Sequence, residues 1–260
     1  AKACLRTKDF ARARSLLTQA LPVLASIPQL AGDPNIPQGW LALATLCADQ
    51  GDLAEAYGHA QQAFERARHL GSQLQKAPPE FHAFVLQTAH QAATYAAMGQ
   101  RPDDAARLTW AAHEYAKSHF AGDPLPALET LQIHLNFVIG AGDFAKAEPL
   151  MRQVVAGKMM LLGEDHPDLS VPLNNLGYVL MNLGKDTEAE QCFRKSWKAC
   201  ERAPDQERNG HALKNLGLLY QKQGKAAEAA AEFKAALVVL EPQLGPDHPV
   251  VKMVREGSGA

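Results

Sequence analysis

A glycine that closes one helical pattern, followed five residues later by an alanine inside the next, recurs along this chain and limits what it can fold into. Gly51 and Ala56, Gly142 and Ala147, Gly184 and Ala189, and Gly224 and Ala229 keep that spacing, while Gly99 and Ala105 carry one extra residue. Ala13 keeps the second half of the pattern behind Lys8, and from Ala13 to Ala229 the alanine steps are 43, 49, 42, 42 and 40. A bulky residue, Trp40, Leu131, Leu173 or Leu213, lies eleven positions before its glycine, and Met151, Phe193 or Phe233 follows four residues after the alanine in the last three units. Apolar residues at helical intervals bury one helix face, and glycine takes the left-handed conformation that ends the first helix of a pair. The small alanine lets the second helix approach closely. One such pair cannot bury its apolar face alone, so neighbours must stack.

The residues at 173–200, LNNLGYVLMNLGKDTEAEQCFRKSWKAC, and at 213–240, LKNLGLLYQKQGKAAEAAAEFKAALVVL, share their Leu-Asn-Leu-Gly, Gly-Lys, Glu-Ala and Phe positions, and LGEDHP at 162–167 recurs as LGPDHP at 244–249. These segments resemble tetratricopeptide repeats. The step near 42 exceeds the usual ~34 residues and is similar to the longer repeat of kinesin light chains and many bacterial signalling proteins. The resemblance implies an all-α, right-handed superhelical solenoid of antiparallel helix pairs. The expected organisation is a single array over 1–256, with a partial repeat at 1–30, full repeats at 36–71, 80–120, 124–162, 166–203 and 207–244, and a further helix starting at 247–256. Residues 257–260 are expected to form a tail or an appended linker. In the LGxDHP turns, Gly163 and Gly245 are expected to close a long second helix, and Asp165 and Asp247 to cap the next one ahead of a proline.

Composition narrows function. With 47% hydrophobic residues the chain has enough apolar surface for a continuous core, and Lys plus Arg number 26 against 28 for Asp plus Glu. That balance gives no field to collect nucleic acid or an anionic membrane. No apolar run approaches the ~18 residues of a membrane span. Cys4, Cys47, Cys192 and Cys200 form no CxxC pair, so a reducing, cytoplasmic home is expected and Cys192 and Cys200 should remain unbridged thiols.

Signs of catalysis are weak. Gly184-Lys185 and Gly224-Lys225 lack the glycine spacing and the Ser or Thr of a phosphate loop. His113 and His119 point about 120° apart on one helix at ~100° per residue, poor for one metal. Asp103-Asp104 and Glu164-Asp165 sit where helices should begin. No catalytic, cofactor or metal residue is therefore assigned, and the chain is expected not to be an enzyme. Trp40, Trp110 and Trp197 have helical spacing that fits packing between helices, and Leu237 to Leu240 reads as a buried face.

In the family, the first helix of each pair lines a concave surface. Carried over by position, that groove holds Gln91, Gln132 and Asn136 in earlier units, then Asn174, Asn175, Tyr178, Met181 and Asn182, then His211, Lys214, Asn215, Leu218 and Lys222. A row of amides can donate to a peptide C=O and accept from its N–H. The expected function is a protein- or peptide-binding scaffold whose partner carries an acidic residue near Lys214. The alternative is a sensor or regulatory arm of a larger bacterial signalling or defence enzyme.

Overall fold

The computed structural model describes residues 9–30, 32–74, 77–201 and 210–259. Among them, every regular element is a helix: α1 (Phe10–Ser26), α2 (Asn35–Asp49), α3 (Leu53–Gln73), α4 (Pro79–Met98), α5 (Pro102–His119), α6 (Leu125–Gly140), α7 (Phe144–Leu162), α8 (Ser170–Asn182), α9 (Asp186–Glu201), α10 (His211–Lys222), α11 (Ala226–Leu244) and α12 (Pro249–Ser258), with short 3-10 turns at Pro28–Leu30 and Pro167–Leu169. Within the expected array over 1–256, contacts fall into two compact units, Ala1–Phe137 and Val138–Ala260.

In the first unit α2 packs on α3, α3 on α4 and α4 on α5. Ala56 and Ala105 are fully buried where the helices meet, among Leu43, Phe64 and Leu108. In the second unit α8 pairs with α9 and α10 with α11, and α12 closes on α11. Ala189, Phe193, Phe233 and Leu216 form its centre. The alanines are only part of the reason the helices come close. A Cβ added at Gly177 of α8 would stand 2.6 Å from the Phe193 ring, and one at Gly217 of α10 would stand 2.5 Å from Phe233. Each phenylalanine of a second helix thus lies on a bare glycine of its first helix. Gly177 and Gly217 each lie seven residues before the Gly-Lys pairs at 184–185 and 224–225, and this helix contact accounts for them without a phosphate loop. Gly257 meets the opposite edge of Phe233 in the same way, and Gly257 and Ser258 continue α12 instead of forming a tail.

Turn chemistry explains the spacing. Gly51, Gly142, Gly184 and Gly224 all have φ between 73° and 85°. Where the spacing gains a residue, Gly99 sits at φ −82° and Gln100 takes the left-handed position at φ 58°. A side chain there strains the backbone by about 1–2 kcal/mol, partly offset by the entropy that glycine would lose. Gln100→Gly is expected to raise the first unit's stability by about 0.5–1 kcal/mol in urea titration; a lower midpoint would mean that the exposed side chain contributes more than the strain costs.

Three expectations change. The caps after Gly163 and Gly245 are the histidines, not Asp165 and Asp247: His166 Nδ1 accepts from the Asp168 N–H at 3.2 Å and His248 Nδ1 from the Val250 N–H at 3.3 Å. A proline follows each at the first helical position, so the residue just before it is the one placed to cap. Trp110 packs between helices only in part: its ring lies against His113 of its own helix and His134 of α6, but it is 41% exposed. Within the run 237–240, Val238 is 77% exposed because α11 presents only one side to its neighbours.

Candidate functional site

The predicted groove residues fall on first helices of both units. In the first, Gln91 on α4 and Gln132 on α6 are half-buried and Asn136 is exposed. Gln132 Oε1 and, beside Gln91, His90 Nε2 are buried with no hydrogen-bond partner among the described residues. Burial alone pushes the His90 imidazole below its ordinary range, which keeps it neutral.

In the second unit α8 and α10 lie side by side, and cross-helix bonds about one repeat apart join them. Asn215 Nδ2 donates to Asn174 Oδ1 at 2.9 Å, and Lys222 Nζ donates to the Met181 carbonyl at 3.1 Å and to Asp186 at 3.0 Å. These bonds commit several predicted readers to the fold. Asn215 is 3% exposed and joins the two helices, although its own Oδ1 has no partner among the described residues. Asn182 Nδ2 returns to the Tyr178 carbonyl of its own helix at 2.8 Å. The Lys222 charge is balanced by Asp186.

The remaining capacity is concentrated in a few side chains. Asn175 is half-buried and makes no side-chain hydrogen bond among the described residues. Tyr178 is 36% exposed, its ring set edge-on to Phe144 at 5.9 Å, and Met181 and Leu218 add half-buried apolar surface. Lys214 is half-buried without an ion pair or side-chain hydrogen bond among the described residues, and burial pushes its ammonium below the usual lysine range. The neighbouring His211 is pushed down by burial and then by the positive charge of Lys214 and His248. This end of the α8–α10 face therefore holds a desolvated cation.

Sequence position put these residues on one face; it could not show which were already bonded. A repeat pattern specifies the helix face of a side chain, whereas a partner some forty residues away is fixed only by how the helices slide past one another.

Tetratricopeptide-repeat family models match residues 139–168 and 168–241. Photosystem I assembly protein Ycf3 of Synechococcus sp. (strain CC9605) is 33% identical over 95 residues, which is 36% of this chain and 49% of that one, so the match spans about half of that relative's length. Among solved structures, BtubC (BKLC) from P. vanneervenii superposes with a TM-score of 0.67 at 18% identity, covering 94% of this chain and 93% of its own. A putative kinesin light chain of P. anserina, with nearly identical TPR-like repeats, gives 0.60 at 17% identity, covering 81% and 98%. Both likenesses bear on the fold. Residues 139–241 thus match tetratricopeptide repeats, and the all-α chain of stacked helix pairs shares the fold of these solved structures.

Proposed function

We propose that this chain is a non-enzymatic protein- or peptide-binding scaffold, bacterial and cytoplasmic, and that the second unit takes a partner segment across the α8–α10 face. The observation that carries this is Lys214: a half-buried ammonium with no carboxylate beside it among the described residues. Taking a charge out of water without pairing it is costly, and a partner carboxylate would relieve that cost. Tyr178, Met181 and Leu218 supply apolar contact next to it, and Asn175 has an amide free to meet a peptide backbone. Gln91, Gln132 and Asn136 offer a similar amide row in the first unit. The scaffold reading agrees with the fold and with the similarity to Ycf3, a photosystem I assembly protein. No described helix is long and apolar enough to cross a membrane.

The structure changes how this is tested. Asn215→Ala would chiefly report the cross-helix bond, so the informative variants are Lys214→Glu, Tyr178→Ala and Asn175→Ala, with Arg107→Ala on α5 as the control. Peptides selected from a random display library against the whole chain should be enriched in Asp or Glu. Calorimetric titration should give at least a tenfold loss for Lys214→Glu, a modest weakening with salt, and no change for the control. Selected peptides with no acidic preference, binding Lys214→Glu as tightly as wild type, would remove this reading.

A further inference from the structure

We infer that Cys47, Glu55 and His59 form a binding site for a zinc-type divalent cation in the first unit. Their ligand atoms all lie within 4.8 Å of one another. Cys47 sits in the last turn of α2, and Glu55 and His59 are four residues apart on α3, hence on one face of that helix. The tight turn through Gly51 brings that face against the end of α2. Cys47 Sγ is 3.7 Å from Glu55 Oε2, close to the roughly 3.5 Å separating thiolate sulfur from carboxylate oxygen around a tetrahedral zinc with bonds of about 2.3 and 2.0 Å.

The surroundings suit a metal. The Trp40 ring lies 5.3 Å from the His59 ring and limits its orientation. Arg14 reaches in from α1 and pairs with both Asp52 and Glu55 at 2.7 Å. One guanidinium therefore faces two carboxylates. Binding of M²⁺ would form the S–M bond and release the Sγ proton to solvent. Thiolate, Glu55 and Asp52 would then carry three negative charges against two from the metal and one from Arg14, a balanced set. Three protein ligands leave a fourth position for water. A mixed sulfur, nitrogen and oxygen set favours zinc over calcium or magnesium.

The test uses the full, reduced chain without an affinity tag. One equivalent of Co²⁺ should produce thiolate-to-cobalt charge-transfer absorption, and Zn²⁺ should displace it stoichiometrically, with about one proton released per metal. Cys47→Ala should abolish the band and Cys192→Ala should leave it intact. Should Cys47→Ala fail to fold, Glu55→Gln and His59→Gln alter side chains outside the core, and each should weaken Co²⁺ binding at least tenfold. No charge-transfer band at one equivalent, a band that survives in Cys47→Ala, or unchanged affinity in both α3 variants would overturn the site.

Discussion

Phe233→Ala lowers the stability of the second unit by about 3–5 kcal/mol, the range for emptying a phenylalanine site in a close-packed core. The residue is 1% exposed, and its ring lies between Gly217 of α10 and Gly257 of α12. Its loss removes contacts from two helices at once. Because the ring fills the space a Cβ would need at Gly217, the pair should be strongly non-additive. Gly217→Ala alone overpacks the contact and costs about 1–3 kcal/mol, whereas in the Phe233→Ala background it should be neutral or stabilising. Equilibrium denaturation of the four members of that cycle reads the coupling directly, and additive effects would show that glycine and ring are not in contact.

Acid destabilises the first unit. Burial pushes His90 and His113 below their ordinary range; His113 is 4% exposed and its Nδ1 donates to the Ala127 carbonyl at 2.9 Å. Below the ordinary histidine value of about 6.5 the unfolded chain binds protons that the folded imidazoles refuse, so stability must fall as the pH falls. The contribution is fully present above about pH 6.5 and is lost as the pH drops toward the depressed folded values. The slope approaches about 1.4 kcal/mol per pH unit for each fully neutral histidine. Urea midpoints measured from pH 7.5 to 5 should therefore decline, and His90→Leu, which gives up no hydrogen bond made by Nε2, should flatten the decline. A pH profile identical to wild type in that variant would exclude His90 as a contributing group.

The repeat is legible in sequence because its requirements are local. A glycine is needed where φ is positive, as at Gly142 and Gly184, and an alanine where two helices touch, as at Ala147 and Ala189. Both leave a mark at a fixed spacing. Gln100 shows the limit of that logic: one inserted residue moves the left-handed position off the glycine, and the turn closes with a non-glycine residue. The histidine caps were not legible, since aspartate is a preferred capping type and histidine is not, and only the observed start of the helix at the proline puts His166 at the capping position.

The groove residues divide along the same line. The resemblance to the repeat family placed Asn174, Asn215, Lys214 and Lys222 on first-helix faces by their position in the repeat, and a helix fixes which side chains share a face. The relative offset of α8 and α10 then gave Asn215 to Asn174 and Lys222 to Met181 and Asp186, and left Lys214 without an anion among the described residues. The Cys47, Glu55 and His59 cluster belongs to the same class, since no standard metal-ligand spacing marks it and it exists only where the Gly51 turn folds α3 against α2. Sequence by itself determined the elements, their pairing and the face each residue occupies, because those depend on neighbours within a turn or two of the chain. Tertiary structure alone decided which polar groups are satisfied and which are left to meet a ligand, because a hydrogen bond or ion pair between helices depends on ångström-scale offsets that no local pattern encodes.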